Sequence, residues 1–446
     1  MPIKEALGRK PRVRYRSSSA VSDFSFEKAE TARSKYALIA VLAGLSVFGF
    51  RATMLPLGSN GMGKVLRDVL DPNSDVELPG APLPIKRTFT GVGPLDKQLS
   101  VLVTFFAALI NDPGAGYEVT AFYIWGMAQF AAGWTALVLE ARRAGNRGRA
   151  VAWVGTLGVV FQNITWTAAV PLFLALHLLT SPVAKIAGKS AKEAGDAARS
   201  SLFVYLWDLA LLPVAVTLGL NVPTIFMSLP GLLNQSAATH YNWIAFWQAF
   251  PVWTVAILDI LHNACYFLLG SLLPMDAAGK STTPGNGFLF AVSGVYQFGL
   301  TLCTITHVPI MLVSALPGPV RSALVSAFPK FAPFFSQVTF ARTFVPHPLF
   351  APRTVDPAAY APGDLAAMVI NFLQYDLFTG NTALLLWALY LHFTTARRPA
   401  AKTLEIAAFW SLLAGPIGAT LALLWDRDEL VKEGETPAVA VEAKTK

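Results

Sequence analysis

Residues 365–393 read LAAMVINFLQYDLFTGNTALLLWALYLHF. The stretch is longer than the roughly 20 mostly apolar residues that a membrane-crossing helix needs, yet it carries a carboxyl, Asp376, in its first half. Asn371, Gln374 and Asn381 fall within about one and a half helical turns of that acid, so a polar spot inside a bundle is expected there. Outward from this stretch the same pattern recurs. Apolar runs cover Tyr36–Leu57, Tyr117–Glu140, Val151–Leu179, Leu202–Leu220, Trp243–Leu273, Phe288–Leu316 and Leu404–Trp425. The expected fold is therefore all-α, a polytopic transmembrane bundle of about eight spanning helices. A further run, Leu99–Ile110, is too short to cross alone and is expected to be interfacial or re-entrant. Trp243–Leu273, with Pro251, and Phe288–Leu316, with Pro309, are long enough to tilt or break.

Composition agrees. Hydrophobic residues make up 54% of the 446-residue chain and charged residues only 14%, against about a quarter in soluble domains. The deficit implies a surface that faces lipid. The net charge of +8 is concentrated in residues 1–35, read as a basic, solvated and disordered cytoplasmic arm. Its cations are not interleaved with aromatics beyond Tyr15, so a nucleic-acid partner is not expected. The first apolar run follows a long polar lead, so it is expected to remain as an anchor and not to be cleaved. Residues 36–425 form one bundle in this reading. Within it, the segment 317–364 is too rich in proline for a long helix and is expected to cap one mouth of the bundle. Residues 426–446, with Asp426, Arg427, Asp428 and Glu429 at their start, are read as a charged, disordered tail outside it. Cys265 and Cys303 lie in apolar runs and behave as small hydrophobes.

Ionisable residues inside such runs are costly unless they face the bundle interior, so each is a site candidate. Glu118 opens its run, where a helix N-terminus facing water would also suit an acid. Asp376 lies among apolar and amide side chains. Asp259, His262 and Asn263 share one helix face, which suits a metal or proton-relay site and equally a structural hydrogen-bonded knot. Asp208 stands alone. His177 and His307 are read as satisfied polar groups. No Asp-Asp-x-x-Asp, Asp-x-Asp-Asp, Walker loop, zincin helix or Gly-x-Ser-x-Gly elbow occurs, which argues against diphosphate ionisation and ATP-driven transport. What is left is a dry cavity with isolated carboxyls, amides and aromatics. Burial favours the protonated form of a carboxyl, and aromatic faces stabilise a cation by roughly 0.5 to 2 kcal/mol each. Those are the parts needed to protonate a lipophilic polyene or epoxide and guide its carbocation.

The strings VPLFLALHLLTSP at 170–182, WIAFWQAFP at 243–251 and NFLQYD at 371–376, followed by Trp387, resemble the fungal membrane-bound terpene cyclases of the ascochlorin and ascofuranone type. The similarity runs from about Gly91 to Trp425. The resemblance implies about eight spans, no metal and no cofactor. It also implies acid-initiated cyclisation of a farnesyl or epoxyfarnesyl chain carried by an aromatic polyketide. Carried over residue by residue, Asp376 matches the acid after the Gln-aromatic pair of the late span and Glu118 an early-span acid. One would donate the initiating proton while the other orients it or takes the terminating one. Asp208, Asp259, Asn263, Asn371, Gln374 and Trp387 would support the cavity. The expected partners are a lipophilic prenylated substrate, membrane lipid and other enzymes of the same pathway, in the endoplasmic reticulum or perinuclear membrane. Isolated acids and proline-broken helices suit a proton-coupled exporter too, and a membrane scaffold is the third reading.

Overall fold

The computed structural model describes residues 20–82, 84–186, 191–270, 285–395 and 399–433. Every regular element among them is helical. Helices α1 (Ala20–Ser59) and α2 (Met62–Leu70) lead through an irregular stretch to α3 (Gly93–Ile110) and α4 (Tyr117–Ala141). Next come α5 (Val154–Ile164), α6 (Trp166–Thr180), α7 (Ala191–Leu202) and α8 (Leu206–Val216). A π-helical segment, Thr217–Asn221, joins α8 to α9 (Val222–Ser228). α10 (Ala237–Gln248), α11 (Phe250–Leu269) and α12 (Gly285–Ser314) follow. Short helices α13 (Gly318–Ala327), α14 (Ala332–Gln337) and α15 (Phe340–Phe344) occupy the proline-rich segment. The chain then finishes in α16 (Asp364–Thr395), α17 (Ala400–Asp428) and α18 (Leu430–Glu433).

Helix α4 is the most buried of the long helices. α16 packs on α17, α6, α1, α3 and α4, while α12 packs on α17 and α4. The outer faces are apolar: Phe267, Phe290, Leu412 and Leu268 are almost fully exposed, as a surface in contact with lipid would require. Seven helices, counting Leu206–Ser228 as one, are long and apolar enough to cross a membrane, which is compatible with a membrane protein. α16 is longer than most of them but less apolar, and it is not in that set.

The helix boundaries correct several expectations. Leu99–Ile110 is the inner part of α3, which starts earlier, with Pro94 in its first turn, and joins the seven. Proline fits that position because its missing N–H would be unpaired there anyway. For the same reason Pro251 begins α11 instead of kinking one long span, and α10 ends just before it. The run Val151–Leu179 is cut in two at Thr165. α17 is interrupted at Gly415, whose φ of 73° is open to glycine and strained for other residues. Gln129 of α4 mends the break: its Nε2 donates to the Ala414 carbonyl at 2.8 Å and its Oε1 accepts from the Ile417 N–H at 3.1 Å. At the start of the chain, α1 already begins at Ala20, inside the segment expected to be a disordered arm; residues 1–19 lie outside the described residues. At the other end, α17 runs through Asp428 and its last turns are buried, so Asp426–Asp428 belong to the bundle and not to a tail. Residues 434–446 lie outside the described residues.

Candidate active site

Helices α3, α4, α5, α6, α10 and α16 line a cavity of about 70 Å³. Its walls are aromatic: Phe106, Phe122, Tyr123, Phe130, Phe161, Trp166 and Trp247, with Met127, Leu373, Leu377 and Gln162 between them. The rings interlock, with centroids 4.8 Å apart for Phe130 and Trp166, 5.0 Å for Phe106 and Trp247, and 5.1 Å for Phe161 and Trp166. Among the described residues Asp376 is the only carboxyl on this wall, and no cationic side chain shares it. A second cavity of about 170 Å³ also reaches Asp376. It shares Phe106, Phe161, Gln162, Leu373 and Asp376 with the first and is otherwise lined by α1, α2 and α3 together with Asn163, Thr165 and Phe372.

Asp376 is held where α5 breaks into α6. Thr165 at the break has φ 87°, a left-handed conformation costing of order 1–3 kcal/mol for a non-glycine residue and typical of functional sites. The Thr165 hydroxyl accepts from the Ala168 N–H at 3.3 Å, and Asp376 Oδ1 accepts from the Thr167 N–H at 2.9 Å. One carboxylate oxygen thus satisfies a donor that the first turn of α6 leaves unpaired. One turn further along α16, Gly380 lets the Trp166 ring lie directly on the helix backbone; a Cβ there would overlap the indole.

The structure separates the two acids expected to work together. Glu118 faces a different cavity, of about 540 Å³, and is ion-paired to Arg342 at 2.6 Å. Asn371 and Gln374 face that cavity too and hold the proline-rich segment: Asn371 Oδ1 accepts from the His347 N–H at 2.8 Å, and Gln374 Nε2 donates to the Thr343 carbonyl at 2.9 Å. The face of Asp259, His262 and Asn263 does not act as one unit. Asp259 pairs with Arg142 at 2.6 Å and His262 Nδ1 lies 2.9 Å from Asp208, whereas Asn263 bonds to the Asp259 carbonyl. None of these lines the aromatic cavity. His307 accepts from the Trp125 indole N–H at 2.9 Å, and His177 accepts from that of Trp387 at 3.2 Å.

His177 and Trp387 belong to a buried charged cluster that sequence reading missed. His177 Nε2 lies 3.2 Å from Glu140, which also faces Arg143 at 3.2 Å and Arg427 at 3.1 Å. Asp428 accepts from Arg143 and from the Tyr296 hydroxyl, each at 2.8 Å. Arg143 also donates to the Leu202 carbonyl at 2.8 Å. This cluster ties α4, α6, α12, α16 and α17 together away from the cavity.

The CtvD domain family matches residues 37–432. The terpene cyclase ascI of Acremonium egyptiacum is 28% identical over 77% of this chain and 79% of its own length. The terpene cyclase ctvD of Aspergillus terreus is 23% identical over 86% of this chain and 94% of its own, and the terpene cyclase verU1 of Penicillium polonicum is 23% identical over 78% and 83%. No solved structure matches the chain. With a match spanning the whole bundle and relatives that are all cyclases, the chain belongs to the CtvD-domain family of fungal terpene cyclases and is an enzyme that catalyses cyclisation.

Proposed function

We propose that this cyclase is embedded in the endoplasmic reticulum or perinuclear membrane. Its substrate is a prenylated aromatic intermediate, whose farnesyl or epoxyfarnesyl chain it folds and protonates. Asp376 is the proton donor. The observation that carries this reading is the position of Asp376 as the one carboxyl, among the described residues, on a wall otherwise built of aromatic and aliphatic side chains and the amide of Gln162. With an epoxide, the Asp376 proton goes to the epoxide oxygen. The C–O bond at the more substituted carbon breaks with its electron pair going to oxygen, and neighbouring alkenes close the rings. With an alkene, the proton goes to the CH carbon of the last double bond, and the cation is left on its dimethyl-bearing carbon. In either case the final cation loses a proton, which restores the acid, so the reaction is an isomerisation. The aromatic rings stabilise the travelling positive charge, and the apolar walls keep water from capturing it.

Glu118 has a cation beside it and faces another cavity, so we assign it to fastening the proline-rich segment to α4. We propose initiation by proton alone because the sequence lacks the clustered acids that hold magnesium on a diphosphate. The test is an incubation of microsomes carrying the full chain with a farnesylated aromatic acid and, separately, its terminal epoxide, with and without EDTA. Cyclised product of unchanged mass in EDTA is expected from one of them. Product that forms only without EDTA, or no product from either with the protein folded and abundant, would overturn the proposal.

A further inference from the structure

The second cavity at Asp376 shares the lining residue Val101 with a third and open cleft of about 610 Å³ between α2, the loop before α3 and the first turns of α3. Three cations line this mouth: Arg67, Arg87 and Lys97. Its two acids are already engaged. The Asp96 carboxylate accepts from the Phe89, Thr90 and Gly91 N–H groups at 3.1, 2.7 and 2.9 Å and from the Thr90 hydroxyl at 2.8 Å. Asp71 accepts from the Asn73 N–H at 2.9 Å. Among the described residues Arg87 has only a long contact, 3.4 Å, to the Val69 carbonyl, and neither Arg67 nor Lys97 has an ion-pair partner. The cavity at Glu118 differs on both counts. Its arginines are paired, Arg342 with Glu118 at 2.6 Å and Arg353 with Asp364 at 3.9 Å, and it shares no lining residue with the cavities of Asp376.

We propose that the cleft at Arg67, Arg87 and Lys97 is the head-group subsite. It takes an amphiphile whose head carries a carboxylate or acidic phenol and whose apolar chain runs along α3 to Asp376. From Lys97 at the mouth to Phe106 at the aromatic cavity, α3 rises about 13 Å, the order of an extended farnesyl chain. Anchoring the anionic head therefore decides which carbon of the chain reaches Asp376. Free cations beside an apolar channel recognise such a head by charge-assisted hydrogen bonds, and the channel takes the rest by burial. This inference rests on the reading of Asp376 as the proton donor.

The test uses the full chain in phosphatidylcholine nanodiscs, so that no anionic lipid competes. Binding of a farnesylated aromatic carboxylic acid and of its methyl ester is measured on the Asp376→Asn variant, which holds substrate without turnover. The acid should bind about tenfold more tightly than the ester. Arg67→Gln with Lys97→Gln should erase that preference and leave ester binding as it was. The charge-keeping pair Arg67→Lys with Lys97→Arg should retain the preference, and so should Lys64→Gln, a lysine that pairs with Asp68 outside the cleft. Equal binding of acid and ester by the parent, or a preference that survives the double neutralisation, would overturn the inference. Preferential binding without cyclisation by the wild-type chain would leave the subsite standing and remove the proposed reaction. Cyclisation of acid and ester with equal KM would do the reverse.

Discussion

Asp428→Asn should lower the unfolding temperature sharply, and a second substitution that restores charge balance should recover most of the loss. Asp428 Oδ2 accepts from Arg143 Nη2 and from the Tyr296 hydroxyl at 2.8 Å, and its Oδ1 accepts from Arg427 Nη2 at 3.1 Å. Arg143, Arg427 and Asp428 are fully buried and Glu140 nearly so, and the four charges balance. Asn keeps the shape and some of the hydrogen bonds but leaves two guanidinium groups facing one carboxylate. Breaking a buried pair in this way costs about 3–5 kcal/mol, and the retained hydrogen bonds place the cost near the lower figure. At about 2 °C per kcal/mol for a large domain, the midpoint should fall by roughly 6 °C. Adding Arg427→Met removes the surplus cation, so the double variant should return to within about 1 kcal/mol of wild type, because a balanced pair replaces an unbalanced trio. Intrinsic fluorescence during thermal unfolding in nanodiscs reads all four corners of the cycle. A single variant within about 1 °C of wild type, or a double variant whose loss is the sum of the two singles, would refute the view of this cluster as a coupled charge balance.

Three further outcomes follow from particular contacts. Gly380→Val should push the Trp166 indole into the cavity and lower kcat/KM about tenfold or more through misplaced substrate, with a smaller effect on folding, as steady-state kinetics beside a melting curve would reveal. Glu118→Gln removes one ion pair with a half-exposed arginine, so stability should change by less than about 1 kcal/mol and turnover should stay within about tenfold of wild type. His240 is buried in α10, and burial pushes its imidazole below the usual histidine range. The folded chain keeps this group neutral while the unfolded chain takes up a proton below about pH 6.5. Its effect is therefore a loss of stability as the pH falls through that value, visible as a lower midpoint at pH 5.5 than at pH 7 and reduced by His240→Phe.

The helical bundle was legible because an apolar run longer than a membrane is thick leaves few other folds. Where helices stop was less so. Thr165 is of a type that caps helices, but it sits within a long apolar run, and the donor exposed by the break it makes is satisfied by Asp376, more than two hundred positions away. Proline was ambiguous for a related reason: Pro251 in isolation reads as a kink, and only the observed end of α10 shows it to be a first-turn residue. Asp376 itself stood out, since a lone carboxyl in an apolar run is rarely placed without a partner. Its cavity did not, because the aromatic residues of the wall come from five helices and resemble any others in the sequence. Arg427 and Asp428 were misread as tail. Adjacent charges near a chain end look solvated until Glu140 and Arg143 of α4 are found against them. The exporter reading rested on isolated acids and proline-broken helices and the scaffold reading on scattered acids, and the similarity to terpene cyclases across the bundle favours neither.

The most direct test of the account compares Asp376→Asn with Asp376→Glu and wild type in the cyclisation assay, at matched amounts of folded protein. Asn retains an acceptor for the Thr167 N–H but has no proton to give, whereas Glu keeps the acid on a longer arm. The account predicts that Asn lowers turnover by about 10²–10⁴-fold with an unchanged melting midpoint, and that Glu restores a measurable part of it. Turnover by Asp376→Asn close to wild type would contradict the account, leaving Asp376 as the residue that caps α6 and the initiating proton to another group.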